Sequence, residues 1–212
     1  MKYKTLFFDF DGVLADSVEV KTRAFAELFK PYGRKILEKV VDHHRANGGM
    51  TRKNKFIHYY EEFLDRSLDE DGLNSLCRKF SSLVVDQVVA SDEIPGALNF
   101  VKRWYRSIPC FIVSATPDDE IIEIVKQRNL SGYFREVLGS GRTKTENLAY
   151  LIEKYNIVPE ASIFYGDAAS DYQAAKDCDV NFFGILPGPD APLLKIAPDI
   201  EWALNFTSEV FL

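Results

Sequence analysis

Short, mainly apolar runs recur along the chain, separated by segments in which apolar residues have helical spacing. The runs cover residues 6–8, 110–113, 137–138, 162–165 and 181–185. Continuous apolar runs of this length are typical of strands buried on both faces of a parallel sheet. From residue 94 onward these strands alternate with predicted helices. The alternation predicts an α/β fold in which helices cover both faces of a parallel sheet.

The stretch between residues 18 and 90 differs, because helical spacing continues through it without a convincing strand. We predict helices over residues 18–30, 34–45, 51–64 and 67–89, the last opened by a capping box at Ser67. The chain therefore divides into a Rossmann-like α/β core, residues 1–16 and 91–212, and an inserted all-helical unit, residues 17–90. Residues 187–212 are predicted to form an irregular tail.

Polar residues stand at the ends of three predicted strands. Asp9, Ser114 and Asp167 each follow an apolar run. The carboxyl ends of parallel strands lie side by side over one crevice, where α/β proteins bind their ligands. Asp11 follows Asp9 by two residues, so both carboxylates point to the same face of an extended chain. A solvated acidic turn is the alternative, since Asp and Gly are common turn residues. The convergence of three strand ends favours an active site.

Charge and composition restrict the classes of partner. The chain has 212 residues and a net charge of -6, so general binding to nucleic acid is not expected. The apolar run near residue 6 is too short for a signal peptide or a membrane span. Cys77, Cys110 and Cys178 are far apart and odd in number, which is typical of a reducing compartment. We expect a cytoplasmic protein without a membrane partner; its oligomeric state is left open.

The side chains at the predicted strand ends suit phosphoryl chemistry. Asp9 and Asp167 offer the oxygen ligands that Mg²⁺ prefers, and a divalent ion would relieve their mutual repulsion. Ser114 offers a hydroxyl donor and Lys144 a positive charge for phosphoryl oxygens. Singly, Ser114, Lys144 and the helix-start residue Asp171 also have ordinary structural interpretations. Their combination predicts a site for phosphoryl transfer.

Four motifs, in this order, resemble those of the haloacid dehalogenase superfamily. They are Asp9-Phe10-Asp11-Gly12-Val13-Leu14-Ala15-Asp16-Ser17, Ile112-Val113-Ser114-Ala115-Thr116, Lys144 and Gly166-Asp167-Ala168-Ala169-Ser170-Asp171. The resemblance spans about residues 5–185. The inserted helical unit resembles the cap of the phosphoglycolate phosphatase and β-phosphoglucomutase branch, and residues 17–90 are called the cap below. We expect the cap to move as a lid over the crevice.

The resemblance implies a role for each acid. Asp9 would be the nucleophile that forms an aspartyl-phosphate, and Asp11 would protonate the leaving group and later activate water. Mg²⁺ would be bound by Asp9, the backbone carbonyl of Asp11, and Asp167. Asp171 would orient Lys144 or a metal-bound water.

The groups that bind the substrate are predicted as well. The resemblance implies that Ser114, the Ala115 amide and Lys144 hold the phosphoryl oxygens. Arg52 follows a glycine-containing loop, residues 47–51, in the cap. We predict that its guanidinium grips a second anionic or polar group of the substrate. A solvated helix face is the alternative.

The leading hypothesis is a Mg²⁺-dependent phosphatase that acts on a small phosphorylated metabolite. The dehalogenases of the family that this chain resembles lack an acid two residues after the nucleophile, so the presence of Asp11 favours a phosphatase or phosphomutase. A phosphomutase of the β-phosphoglucomutase type would pass through the same phosphoenzyme. A non-enzymatic phospho-acceptor, like a response-regulator receiver, is the rival from another class, although receivers lack a helical insertion of this size. His43, His44 and His58 are predicted to be structural or surface residues.

Overall fold

The first apolar run forms β1, Thr5–Phe8, at the centre of a parallel sheet. The structure is a computed structural model that describes residues 2–208. All four residues of β1 are buried, as expected for a strand covered on both faces. The other strands are β2 Cys110–Val113, β3 Glu136–Leu138, β4 Ser162–Gly166, β5 Asn181–Ile185 and β6 Trp202–Ala203. Their spatial order is β3-β2-β1-β4-β5-β6.

Helices cover both faces of this sheet, and successive residues of β1 point to opposite faces. Leu6 and Phe8 belong to a cluster that includes Phe100, whereas Phe7 packs with Leu148 and Ala174. The helices of the core are α5 Ala97–Trp104, α6 Asp118–Gln127, α7 Lys144–Tyr155, α8 Ala169–Asp177 and α9 Pro192–Ile196. The predicted parallel α/β core is confirmed.

The inserted segment contains helices and, within the described residues, no strand. Its helices are α1 Val18–Phe29, α2 Arg34–Ala46, α3 Arg52–His58 and α4 Glu70–Ala90. α3 continues into a π-helical turn, Tyr59–Phe63. Aromatic side chains hold the helices together: the ring centroids of Phe25 and Phe80 are 4.5 Å apart, and those of Phe29 and Tyr59 are 5.3 Å apart. Burial of such rings supplies much of the free energy that stabilises a small helical unit.

The two connections between cap and core run side by side. The Asp16 N–H donates to the Asp92 carbonyl at 2.9 Å, and the Ile94 N–H donates to the Leu14 carbonyl at 3.3 Å. We therefore propose that the core and the cap are divided between residues 16 and 17 and between residues 90 and 91. We also propose that the cap moves as a lid about this narrow junction.

One predicted helix start differs in detail from the structure. α4 is capped by Asp69, whose Oδ1 accepts from the Gly72 N–H at 2.8 Å, and not by Ser67. The carboxylate two residues later is the better N-cap because it also interacts with the helix dipole. Thr116 precedes α6, but α6 has no side-chain hydrogen bond at its N-cap, Pro117. The Thr116 hydroxyl instead donates a hydrogen bond to Asp11 Oδ2 at 3.2 Å.

The predicted irregular tail is wrong between residues 192 and 203. α9 and β6 form there, and β6 extends the sheet by pairing in parallel with β5. Two residues of strand are too few for a periodic signal, so the pattern gave no basis for predicting β6. The last predicted tail residues, 209–212, lie outside the described residues. Among the helices described, none combines the length and apolarity that crossing a bilayer requires.

Candidate active site

Parallel pairing places the predicted acids at one edge of the sheet. Phe8, the last residue of β1, is in register with Ile112 of β2 and Tyr165 of β4. Asp9 is one residue further, and its backbone N–H still donates to the Tyr165 carbonyl at 2.9 Å. Asp167 follows β4 on the neighbouring strand. Both carboxylates therefore lie at the carboxyl edge, where helices do not cover the strand ends.

Asp9, Asp167 and Asp171 form a cluster in which one carboxylate oxygen from each lies within 4.8 Å of the others. Asp171 lies in the first turn of α8, and its Oδ2 accepts the backbone N–H of Asp167 at 3.2 Å and of Ala168 at 3.0 Å. These bonds fix Asp171 in the interior. Asp9 and Asp167, by contrast, line a cavity between core and cap.

Lys144 joins two members of this cluster. It is the first residue of α7, whose start is fixed by a capping box between Thr143 and Glu146. Lys144 Nζ lies 2.8 Å from Asp9 Oδ2 and also contacts Asp171 Oδ1. Burial alone would lower the pKa of Lys144, but the charges of Asp171 and Asp9 raise it above its ordinary value. The ammonium is therefore held charged beside the predicted nucleophile.

The acids themselves are destabilised in their charged form. Burial raises the pKa of Asp9 to about 7, since the attraction of Lys144 is opposed by repulsion from Asp171 and Asp11. Burial, followed by the charges of Asp9 and Asp171, also raises the pKa of Asp167 well above its ordinary value. Two buried carboxylates of this kind are oxygen ligands whose repulsion a bound divalent cation would remove.

Asp11 has a different environment from Asp9. Its Oδ1 accepts from Ser17 Oγ at 2.6 Å, and its Oδ2 contacts Lys21 Nζ and accepts from Thr116 Oγ1 at 3.2 Å. Burial would raise the pKa of Asp11, but Lys21 and the two hydroxyls outweigh it and lower the pKa below its ordinary value. The two acids of the first motif thus have opposite pKa shifts: without a bound cation, the charged form is disfavoured for Asp9 and favoured for Asp11.

The turn after β2 contributes Ser114 and Ala115. Ser114 is buried, and its Oγ accepts from the Thr116 N–H at 3.1 Å. Ala115 lines the cavity together with Asp9 and Asp167. The phosphoryl contacts assigned to Ser114 and Ala115 stay predictions.

Gly12 permits close approach between the first and fourth motifs. Its φ is 79°, and a Cβ built on it would lie 2.6 Å from Asp167 Oδ2. A side chain at this position would therefore require both a strained backbone and a displaced Asp167 carboxylate.

We expect Gly12→Ala to lose about 1–2 kcal/mol of unfolding free energy and most of the activity. Gly33→Ala is the matched control, since Gly33 has a φ of 88° and no atom within 4 Å of the added Cβ. It should lose similar stability in denaturant unfolding but keep its turnover. If both variants kept their turnover, the close contact with Asp167 would have no functional consequence.

The cap forms the other wall of the cavity. It contributes Val18, Lys21, Phe25, His44, Gly48, Met50, Arg52, Lys55 and Phe80. Three of these side chains carry a basic group that pattern analysis did not assign to the site: Lys21, His44 and Lys55. The prediction that His44 is a structural or surface residue is therefore incomplete, because the imidazole is buried and its Nδ1 lies 2.7 Å from Lys55 Nζ.

Arg52 lies in this wall, but its guanidinium is paired with the core. Its two terminal nitrogens lie 2.7 and 2.6 Å from the two carboxylate oxygens of Glu120 in α6. Ser81 Oγ also accepts from Arg52 at 2.8 Å, and the guanidinium stacks on Phe80. The predicted substrate contact of Arg52 stays a prediction, and it requires these donors to be shared with or released by Glu120.

The pair between Arg52 and Glu120 should stabilise the closed cap. Burial opposes ionisation, but the hydrogen bonds and charge of Arg52 hold the pKa of Glu120 below its ordinary value. The stabilisation is therefore present at neutral pH and declines as the pH falls below the ordinary range of a glutamate.

Replacing Glu120 with alanine should lower the unfolding free energy by about 3 kcal/mol, because it leaves a buried Arg52 charge unpaired. Glu123→Ala, on the exposed side of the same helix, should leave the denaturant midpoint nearly unchanged. Equal midpoints for the two variants would show that the ion pair does not hold the cap.

Known proteins resemble this chain in sequence and in fold. A phosphatase of phosphorylated carbohydrates from Thermotoga maritima is 23% identical over 86% of this chain and 85% of its own length. A phosphoglycolate phosphatase from Pseudomonas putida is 24% identical over 87% of this chain and 70% of its own length. The crystal structure of β-phosphoglucomutase from Clostridium difficile shares the fold, with a TM-score of 0.72, 18% identity and coverage of 86% and 84%.

Residues 6–185 match the family described as haloacid dehalogenase-like hydrolase. The matched segment begins in β1, spans the cap and ends with β5, so it includes all the strand ends that build the cavity. With the acid cluster, Lys144 and the helical cap in that one segment, the chain belongs to the haloacid dehalogenase-like hydrolases and is an enzyme of that family.

Proposed function

We propose that this enzyme is a Mg²⁺-dependent phosphatase that hydrolyses a small phosphorylated compound through an aspartyl-phosphate on Asp9. One observation carries the proposal: Asp9 lines the same cavity as Asp11 and Asp167, with Lys144 Nζ at 2.8 Å from Asp9 Oδ2. A nucleophilic carboxylate, a second acid and a fixed cation are the groups that covalent phosphoryl transfer requires.

Asp9 attacks the phosphorus atom, and the ester oxygen leaves with a proton from Asp11. Asp11 then removes a proton from water, which attacks the aspartyl-phosphate and frees Asp9. The contact between Lys21 and Asp11 favours the ionised carboxylate, so the acid step requires this contact to loosen. Lys144, Ser114 and the Ala115 amide hold the phosphoryl oxygens that become more negative during transfer.

The acid cluster fits a hard divalent cation. The donors are carboxylates, their oxygens lie within 4.8 Å of one another, and Gly12 leaves room for the Asp167 carboxylate at the cavity. We propose that Asp9, the Asp11 backbone carbonyl and Asp167 hold Mg²⁺, while Asp171 keeps Lys144 in place. When bound, the ion neutralises phosphoryl charge and allows Asp9 to approach as a carboxylate.

Two neighbouring pockets offer space for the leaving group. The cavity beside Asp9 has a volume of about 50 Å³, and a second pocket of about 830 Å³ shares Asp167, Gly48 and Met50 with it. Together they have room for a small phosphorylated metabolite. The phosphatase names of the relatives from T. maritima and P. putida agree with hydrolysis of a small phosphate ester.

Release of inorganic phosphate from a panel of phosphorylated metabolites and p-nitrophenyl phosphate tests the proposal. We expect release that depends on Mg²⁺, stops with EDTA and needs no added bisphosphate. A requirement for a sugar bisphosphate, with phosphate passed to a second sugar phosphate, would instead identify a phosphomutase. The absence of turnover on every ester would contradict both activities.

A further inference from the structure

Most of the charged groups that face the cavity are compensated by a partner of opposite charge. Asp11 is paired with Lys21, and Arg52 is paired with Glu120. Asp9 is paired with Lys144, which also contacts Asp171. The charge of each of these cations is therefore balanced by a carboxylate of the protein itself.

Lys55 is different. Its side chain is 2% exposed and lines the cavity, yet no carboxylate within the described residues lies at ion-pair distance from Nζ. The one polar contact found there for Nζ is His44 Nδ1, at 2.7 Å. Burial, with the charge of Lys55, lowers the pKa of His44 to about 3, so the imidazole is neutral and accepts the hydrogen bond. A neutral ring orients the ammonium without neutralising it.

Burial without an acid partner is unfavourable for an ammonium group. Burial and the nearby charge of Lys21 lower the pKa of Lys55 to about 7, and the charge of Lys144 lowers it further. The negative charges of Asp11 and Asp167 raise this pKa, but they do not outweigh the other effects. An anion bound next to Nζ would remove this cost. Two of the three N–H donors of Lys55 remain for such an anion, since His44 takes one.

We propose that Lys55, oriented by His44, is the receptor for a second anionic group of the substrate, on the leaving-group side of the scissile phosphate. This inference rests on the proposed phosphatase function and assigns the specificity contact to Lys55, because the Arg52 guanidinium is occupied by Glu120. The natural substrate is then a phosphate ester whose leaving group ends in a carboxylate or a second phosphate.

Three two-carbon esters with the same scissile phosphate test this assignment. They are 2-hydroxyethyl phosphate, which has a neutral end, 2-phosphoglycolate, which has a carboxylate, and ethanediol bisphosphate, which has a second phosphate. We expect the parent enzyme to prefer one of the two anionic esters over 2-hydroxyethyl phosphate in kcat/KM, and the preferred ester identifies the anion. If neither is preferred, the inference fails without any variant being needed.

Lys55→Met and Lys55→Gln should reduce that preference about 10- to 100-fold, mainly through KM, since a charged hydrogen bond is lost. Both variants replace a buried ammonium with an uncharged group, so the fold is not expected to suffer. Lys53→Met is the matched control: Lys53 is exposed on the same helix, and the preference should be unchanged. A preference in both Lys55 variants equal to that of the parent would overturn the inference.

The two proposals fail in distinguishable ways. Mg²⁺-dependent release of phosphate from all three esters at equal rates contradicts the Lys55 receptor and leaves the phosphatase proposal in place. The absence of release from every ester, including p-nitrophenyl phosphate, contradicts the phosphatase itself.

Discussion

Asp9→Asn should lower the rate of phosphate release by a factor on the order of 10⁴ or more, because no other group can replace the nucleophile. The amide keeps the shape of the carboxylate and its place beside Lys144 and the Phe10 N–H. It also removes one charge from a cluster in which burial disfavours that charge. In EDTA, the variant should therefore be at least as stable as the parent.

Turnover is measured with the preferred ester, and stability by thermal unfolding of the same preparations. Asp16→Asn is the control, since Asp16 is an exposed carboxylate in the same motif. It should keep the parent rate. Retention of more than a few per cent of activity by the Asp9 variant, after separation from contaminating phosphatases, would exclude Asp9 as the nucleophile.

Asp167→Ala is expected to have the second-largest effect, on Mg²⁺ affinity and turnover together. The substitution removes one of the two carboxylates proposed to bind Mg²⁺, and only Asp9 and the Asp11 backbone carbonyl remain as protein ligands. We expect the Mg²⁺ concentration for half-maximal activity to rise at least about tenfold, with a large fall in the maximal rate.

Calorimetric titration with Mg²⁺ gives a measurement that does not depend on turnover. Binding by the Asp16→Asn control should match the parent, whereas binding by the Asp167 variant should be weak. An unchanged Mg²⁺ dependence in the Asp167 variant would show that the ion is held elsewhere or is not needed.

The sheet and the core side of the cavity could be predicted because both depend on local sequence. The residues of β1 and β2 form buried apolar runs, and the polar residues that follow them mark where each strand ends. Parallel pairing then brings Asp9 and Asp167 together without any further information. β6 could not be predicted in the same way, since its two residues owe their conformation to pairing with β5.

The cap side could not be predicted, because it depends on how helices separated in sequence pack over the core. Arg52, Lys55, Phe56 and Tyr59 lie at positions i, i+3, i+4 and i+7, and all four are buried. A basic residue within an apolar helical stripe indicates a charge that faces the interior, and this pattern identifies Lys55 as a candidate site residue. The contact between Arg52 and Glu120 joins residues 68 positions apart, and no spacing rule indicates it.

The stereochemical course at phosphorus tests the central claim, a covalent intermediate on the enzyme, most directly. An ester made chiral at phosphorus with oxygen isotopes is hydrolysed in isotopically labelled water, and the configuration of the released phosphate is determined. Attack by Asp9 followed by attack by water comprises two in-line displacements, each of which inverts the configuration, so the account predicts overall retention. Inversion would show that water attacks the substrate directly and would contradict the aspartyl-phosphate mechanism.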